Sequence, residues 1–419
     1  MASITSAFIC LLLGASQVTA QTTPAEFQPN PTVGDGGNQY KDSPHFRVYN
    51  ASTSQTDAGI KMLEAAYTCF VGTLGWRTTG LSFKSDNDNG PYYKENIYAV
   101  GSLGTNVAGQ QWTDQKSGFS YLKVVSKYLT DPSITVHEYG HALTYSERYW
   151  VDEKRTGAWW ETVANHMADT FMTSPLCAAA RTQYGQAEGR TMIDLNKVIS
   201  DSYQVIVDGT SGTGNYYQAW PFLTYLITNP DNYTSLGPTT IRNMIRKHKR
   251  GSNETPLHDL QTIASPISVQ KIVGRYWARM AYLDIGHPKA QQEFMSSRSS
   301  LNYANVASAG NGIYKVKDNR QPRYMGANIL PLKGSGAITV NVTANMPFTA
   351  TLAVRSKNGA VQYVDLQGGK GQATIENGGE VSLVIVNTPD ALILYDPFSL
   401  TADVNRGLSY QVQLSGATV

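Results

Sequence analysis

The sequence predicts an α+β fold followed by an all-β sandwich, and three observations carry that prediction. Before residue 130, several apolar alternating runs surround one amphipathic stretch, the pattern of a mixed sheet with helices on one face. From about 190 to 325 the apolar spacing is mainly helical. From Gly326 onward, short β-branched runs recur at close, regular intervals, broken by Gly, Asn and Asp, as in a sandwich.

The chain has 419 residues with 41% hydrophobic content, enough to bury one large core or two. Its net charge of +2 gives no reason to expect a nucleic-acid partner. Residues 1–20 read as a signal peptide, because the apolar run Ala7 to Leu13 leads to the small-residue cleavage site Val18-Thr19-Ala20. That run is too short to span a bilayer and no later one is longer, so a secreted protein without membrane insertion is expected. Residues 21–44, rich in Pro, Gly, Thr and Asn, read as a flexible lead-in.

Residues 45–325 are expected to form one domain, its sheet and metal-binding part over 45–190 and a mainly helical part over 190–325. His45 to Tyr49, Asn96 to Val100 and Phe119 to Val125 read as strands, and Leu81 to Phe83 as a further short one. Ile60, Leu63, Ala66, Tyr67 and Phe70 mark a helix from Thr56 to about Phe70. Asp86 to Gly90 reads as a hairpin turn, and Trp112 falls in a Gly-rich loop. In the helical part, Tyr216 to Leu226 and Val269 to Leu283 carry the clearest periodicity. Arg246 to Arg250 reads as a helix C-terminus with Gly251 at the position just beyond it. In the sandwich, residues 326–419, strands are expected at 337–342, 348–354, 361–364, 381–386 and 391–395.

Cys10 falls within the signal, leaving Cys69 and Cys177. In an oxidising compartment these suggest one disulfide, with two buried free thiols as the alternative. Asn50, Asn232, Asn253 and Asn341 each stand in an Asn-x-Ser/Thr acceptor sequence, as suits a secreted glycoprotein.

The chemistry gathers at His137-Glu138-Tyr139-Gly140-His141. Thr130-Asp131-Pro132 reads as a helix start, with Asp131 capping and Pro132 in the first turn. On that helix, His137 and His141 are one turn apart on a single face and can hold one metal ion, while Glu138 on its rim can polarise a water there. A Gly at position 140 costs about 1 kcal/mol of helix propensity, which hints that something packs closely against that turn.

A zinc site needs a third protein ligand and an open position. Glu161 stands twenty residues beyond His141 on a second predicted helix, Ala158 to Asp169, with Asn165 on its face four residues on. His166 is the alternative ligand, but it points about 140° away from Glu161, so only one of the two can face the same ion, and Glu161 is favoured. Asn165 is expected to support a ligand, and Asp169 either to support one or to be structural. The developing oxyanion needs a donor, for which Tyr216, Tyr217 and Tyr276 are candidates, although aromatic core packing suits each as well.

His-Glu-x-x-His followed by Glu161 on a second helix resembles the gluzincins, the thermolysin-like clan of zinc metallopeptidases. The resemblance implies a zincin-like catalytic domain, Zn2+ held by His137, His141 and Glu161, and Glu138 as general base. It also implies an upstream edge strand for extended substrate, here Phe119 to Val125. Asn165 departs from that pattern, which usually has Asp there. Trp159-Trp160-Glu161-Thr162 with a β-rich C-terminus looks like a poorly characterised group of secreted microbial zincin-like proteins. The metzincin pattern fails, because Ala142 to Trp150 holds neither the Gly nor the third His it requires.

The expected function is therefore a secreted zinc-dependent metalloendopeptidase acting on an extracellular protein. The alternatives are a zinc enzyme acting on extracellular glycans or glycoproteins, and a non-catalytic binding protein with a structural zinc.

Overall fold

The computed structural model describes residues 23–419, so the signal-like stretch 1–20 lies outside it. The chain builds β1 (Tyr40–Asp42), β2 (Phe46–Tyr49), α1 (Thr53–Tyr67), β3 (Glu95–Val100), β4 (Gly109–Thr113) and β5 (Ser120–Val125). These strands form a mixed sheet in the order β1-β2-β3-β5-β4, in which β2, β3 and β5 run parallel and β4 closes one edge antiparallel to β5. Phe46, Val48, Ile97, Ala99, Leu122 and Val124 point to one face and enter the core with the helices.

The opposite face is covered by the lead-in, which is anchored there and not flexible as expected. Asn96 donates to the carbonyls of Asn30 and Val33, Tyr98 Oη donates to Val33 O at 2.7 Å, and Phe27 and Val33 are buried. The composition suggested a linker, but the sheet offers buried polar groups that only this backbone satisfies. Leu81 to Phe83 forms turns, not a strand, and no strands flank the polar loop 86–90, where Asp88 pairs with Arg77 instead.

Helices α2 (Pro132–Ser146), α3 (Trp159–Thr173) and α4 (Ala178–Gln183) follow. α2 begins as predicted, with Pro132 in its first turn and the Asp131 carboxylate accepting from Ser133 N at 2.9 Å. A Cβ on Gly140 would lie 3.1 Å from the Ala164 backbone and 3.2 Å from Met167 Sδ, so the bare glycine lets α2 pass tightly over α3. Cys69, in the wide turn after α1, is bonded to Cys177 before α4.

Residues 185–219 are largely irregular. Beyond them come α5 (Trp220–Thr228), α6 (Thr240–Lys247), α7 (Pro256–Ala264), α8 (Val269–Met280) and α9 (Pro288–Ser297). Gly251 is not the residue after α6. His248 caps that helix and is buried against Asp259, and Gly251 turns the chain three residues later at φ +75°. Arg246 of the basic run clamps the buried Glu147 with two nitrogens, at 2.6 and 2.8 Å.

The rest is antiparallel β-structure: β6 (Val306–Gly310), β7 (Ile313–Val316), β8 (Ala327–Ala344), β9 (Phe348–Arg355), β10 (Val361–Asp365), β11 (Lys370–Ile375), β12 (Glu380–Asn387) and β13 (Tyr410–Thr418), with the short helix α10 (Ala402–Asn405) before the last strand. Eighteen-residue β8 belongs to two layers. Its first half pairs with β12, and its second half with β11 and β13, giving a sandwich-like arrangement around Leu330, Val340, Leu352, Leu383 and Val412. Residues 391–395 are not a strand. The Tyr395 ring is buried beside Tyr324 and its hydroxyl reaches Val207 O, so tertiary contact takes the place of strand pairing. α8 packs on β9 and β12, and Ala353, Val384 and Val386 join the core beneath the helices.

Candidate metal centre

Two helices from adjacent stretches of chain bring the donor atoms together. His137 and His141 project from α2 with their Nε2 atoms 3.1 Å apart, and Glu161 Oε2 from α3 lies 3.1 Å from the first and 3.3 Å from the second. Glu161 is in the first turn of α3, where a carboxylate complements the helix dipole. Burial opposes its ionisation, but the neighbouring imidazoles outweigh that and hold its pKa well below the usual carboxylate range.

These residues fit a tetrahedral cation. Zinc with N and O ligands at about 2.0–2.2 Å has ligand–ligand edges of about 3.3–3.5 Å, close to the triangle described. Oε2 of Glu161 is buried yet accepts no hydrogen bond, which is the condition of a ligand atom and not of an ordinary ion-pair oxygen. Two imidazole nitrogens and one carboxylate oxygen form a donor set typical of zinc.

Glu138 sits beside this triangle, 7% exposed. Burial raises its carboxyl pKa, the two imidazoles pull it down, Glu161 raises it, and the net shift is upward. The edge strand β4 lies directly over it. A Cβ on Gly109 would sit 2.6 Å from Glu138 Cγ, so glycine is what allows the strand to approach.

The donors open into a cleft of about 540 Å³ walled by Val107, β4 from Gly109 to Trp112, and Tyr217. The edge strand next to the donors is thus β4 and not Phe119 to Val125, since β5 is paired on both sides. No alternation betrays β4 in the sequence, because Gly109, Gln110 and Gln111 present neither face as apolar.

The supporting candidates divide. Asn165 Oδ1 lies 2.7 Å from His137 Nδ1, and its Nδ2 also donates to Tyr217 O at 2.6 Å. Asp169 is not near the donors; it accepts from Thr191, Met192 N and Thr173 and meets His287 at 2.6 Å. His166 is buried between Thr224 and Thr170, and its pKa is lowered to about 4 by burial.

Of the three tyrosines only Tyr217 lines the cleft, with its ring 6.4 Å from that of His137. Its hydroxyl pKa is raised, first by burial and then by the charge of Glu161. Tyr216 packs on Tyr217 and Phe398 behind it, and Tyr276 is a core residue packed on Phe222 and Trp277. Sequence offered no signal to separate them, since all three sit in aromatic runs.

Fold and site together define a mixed α+β protein whose two central helices present a compact His/Glu donor cluster to an open cleft. The chain belongs to the family of unknown function DUF6055, which it matches over residues 37–419. No curated protein matches it. A solved structure with some likeness is the ZmpB metallopeptidase from Clostridium perfringens, at 19% sequence identity and a TM-score of 0.13. That likeness covers 21% of this chain and 18% of the ZmpB chain, and it is too short and loose to define a fold or an activity.

Proposed function

We propose that this chain is a zinc-dependent hydrolase, a metalloendopeptidase of the gluzincin type that acts outside the cell. The observation that carries the reading is the triangle of His137, His141 and Glu161 donor atoms, with the buried Glu138 beside it and a free strand edge above it. A structural zinc gains nothing from a base next to it or from a cleft.

His137, His141 and Glu161 would hold the ion. When bound, zinc supplies Lewis acidity and lowers the pKa of water toward neutrality. Glu138, buried beside the donor triangle, takes the proton of the attacking water and returns it to the leaving amine. The Tyr217 hydroxyl donates to the oxyanion as charge develops. The unpaired backbone of β4 from Gly109 to Thr113 accepts an extended peptide as an added strand.

Secretion fits the Cys69–Cys177 disulfide, and among the described residues no helix is long and apolar enough to cross a membrane. Asn50, Asn232 and Asn253 are exposed, as glycan acceptors must be, whereas Asn341 lies half-buried within β8. A second reading, hydrolysis of glycans or glycoproteins, draws on the exposed rings of Trp112 and Tyr217 in the cleft.

The test is Glu138→Gln. Zinc content should stay at the wild-type level while hydrolysis of denatured protein falls by on the order of a thousandfold or more. Retained turnover would remove Glu138 from its role, and activity confined to polysaccharides would favour the second reading.

A further inference from the structure

Asn165 does something that the aspartate usual in the resembled pattern does not. Its side chain spans two groups of different polarity, His137 Nδ1 at 2.7 Å and the Tyr217 carbonyl at 2.6 Å. A backbone carbonyl only accepts, so the amide NH2 must face Tyr217 and Oδ1 must face the imidazole. Oδ1 in turn only accepts, so His137 carries a hydrogen on Nδ1, and its neutral ring then has the Nε2 lone pair free for a cation on the side of His141 and Glu161. Asn165 is 5% exposed, so water does not offer either group an easy substitute partner.

The same helix holds this turn a second time. Thr162, three residues before Asn165, donates to the Tyr216 carbonyl at 2.7 Å. Consecutive carbonyls of the turn Asn215–Tyr217 are therefore pinned by consecutive side chains on one face of α3. The rest of the segment from 208 to 219 is irregular; it is tied within itself around Asp208 and to its surroundings through Gly209 N to Pro397 O and through Gln218 to Asp194 and Met192, so Asn165 and Thr162 are what tie its tyrosine turn to α3.

We propose that Asn165 is a positioning residue that couples the cation-binding tautomer of His137 to the placement of Tyr217, so that metal binding and the order of the 208–219 segment are linked. The inference rests on the metal-binding part of the reading above, but not on any particular substrate. An aspartate would still accept from His137 Nδ1, yet would bring a carboxylate oxygen against the Tyr217 carbonyl, two acceptors with no hydrogen between them.

Asn165→Asp therefore separates the two roles. Zinc affinity of the full chain is measured by chelator competition, and hydrogen–deuterium exchange is followed in peptides covering 208–219. In the wild type, zinc should slow exchange in that segment, because linkage is reciprocal. In Asn165→Asp, zinc affinity should stay within about threefold, while the segment exchanges faster and no longer responds to zinc. Asn165→Ala should lose about 10–100-fold in zinc affinity, the usual cost of removing a group that orients a ligand. Thr162→Val should loosen the segment while, with the Asn165 tie intact, its exchange still slows on zinc binding.

Unchanged exchange in Asn165→Asp, or wild-type zinc affinity in Asn165→Ala, overturns the coupling. Neither measurement needs turnover. If the protein binds zinc with the linked response but cleaves no substrate, the hydrolase reading fails while this one stands.

Discussion

Two buried histidine–carboxylate clusters sit on the same helix, α3, and they are built to opposite ends. At one, Asp169 accepts from Thr191, Met192 N and Thr173, and its remaining capacity goes to His287. Both carboxylate oxygens face hydrogen-bond donors, as stable burial of a carboxylate requires. At the other, Glu161 Oε2 and two imidazole nitrogens face one another at 3.1–3.3 Å, and the oxygen is without a donor. The first cluster closes on itself and holds the fold. The second leaves its donor atoms convergent beside an open cleft, the arrangement that the proposed cation would complete.

The sharpest way to break this contrast is to cut one residue from each cluster. Asp169→Ala should destabilise the chain by roughly 2–4 kcal/mol by stranding its buried partners, with zinc affinity unchanged. His141→Ala should do the reverse, abolishing tight zinc binding while the metal-free protein melts near the wild-type temperature. Chemical denaturation and chelator competition on both variants check the pair, and a loss of zinc in Asp169→Ala would merge the two clusters into one.

Tyr217→Phe, which removes a hydroxyl at the cleft, should lower kcat by on the order of 10–100-fold with KM little changed. Tyr276→Phe, in the core, should leave both within about twofold, since its ring packing survives. Steady-state kinetics on the substrate identified for the wild type decide between them.

The smallest effect concerns a buried carboxylate that has neither a histidine nor a cation. Glu95 accepts from Ser120, and burial pushes its pKa up from 4.5 to about 8. A raised folded-state pKa means that its contribution to stability is full below about pH 4.5 and is lost as pH rises through about 8. The melting temperature of Glu95→Gln should therefore fall less than that of the wild type between pH 6 and 9. Parallel melting curves for the two proteins would contradict the assignment.

What could be read in the sequence follows from the range of the interactions involved. The helix around His137 is set by a local cap, Asp131 and Pro132, and the shared face of His137 and His141 by their spacing, so both were legible. Gly140 also signalled its close neighbour correctly, because a helix that carries a glycine at its centre gives up propensity there and gains room for another backbone. Asp169 was left between a supporting and a structural role because it shares a helix with Glu161. It stands eight residues on, about 12 Å further along the axis, and the sequence does not show which end of α3 meets α2.

Strand β4 was hidden for another reason. One side faces the cleft, so the two-residue alternation that marks β3 and β5 is missing in Gly-Gln-Gln-Trp-Thr. The lead-in and residues 391–395 were misread because their conformation is decided by partners far away in the chain, Asn96 and Tyr98 for the first and Val207 and Tyr324 for the second.

The most direct measurement is the zinc content of the full-length chain by elemental analysis, after equilibration with trace zinc and dialysis, for the wild type and the His137→Ala/His141→Ala double variant. The account predicts one zinc per wild-type chain and none in the double variant. A wild-type chain that retains no zinc, or a double variant that retains as much as the wild type, would contradict it.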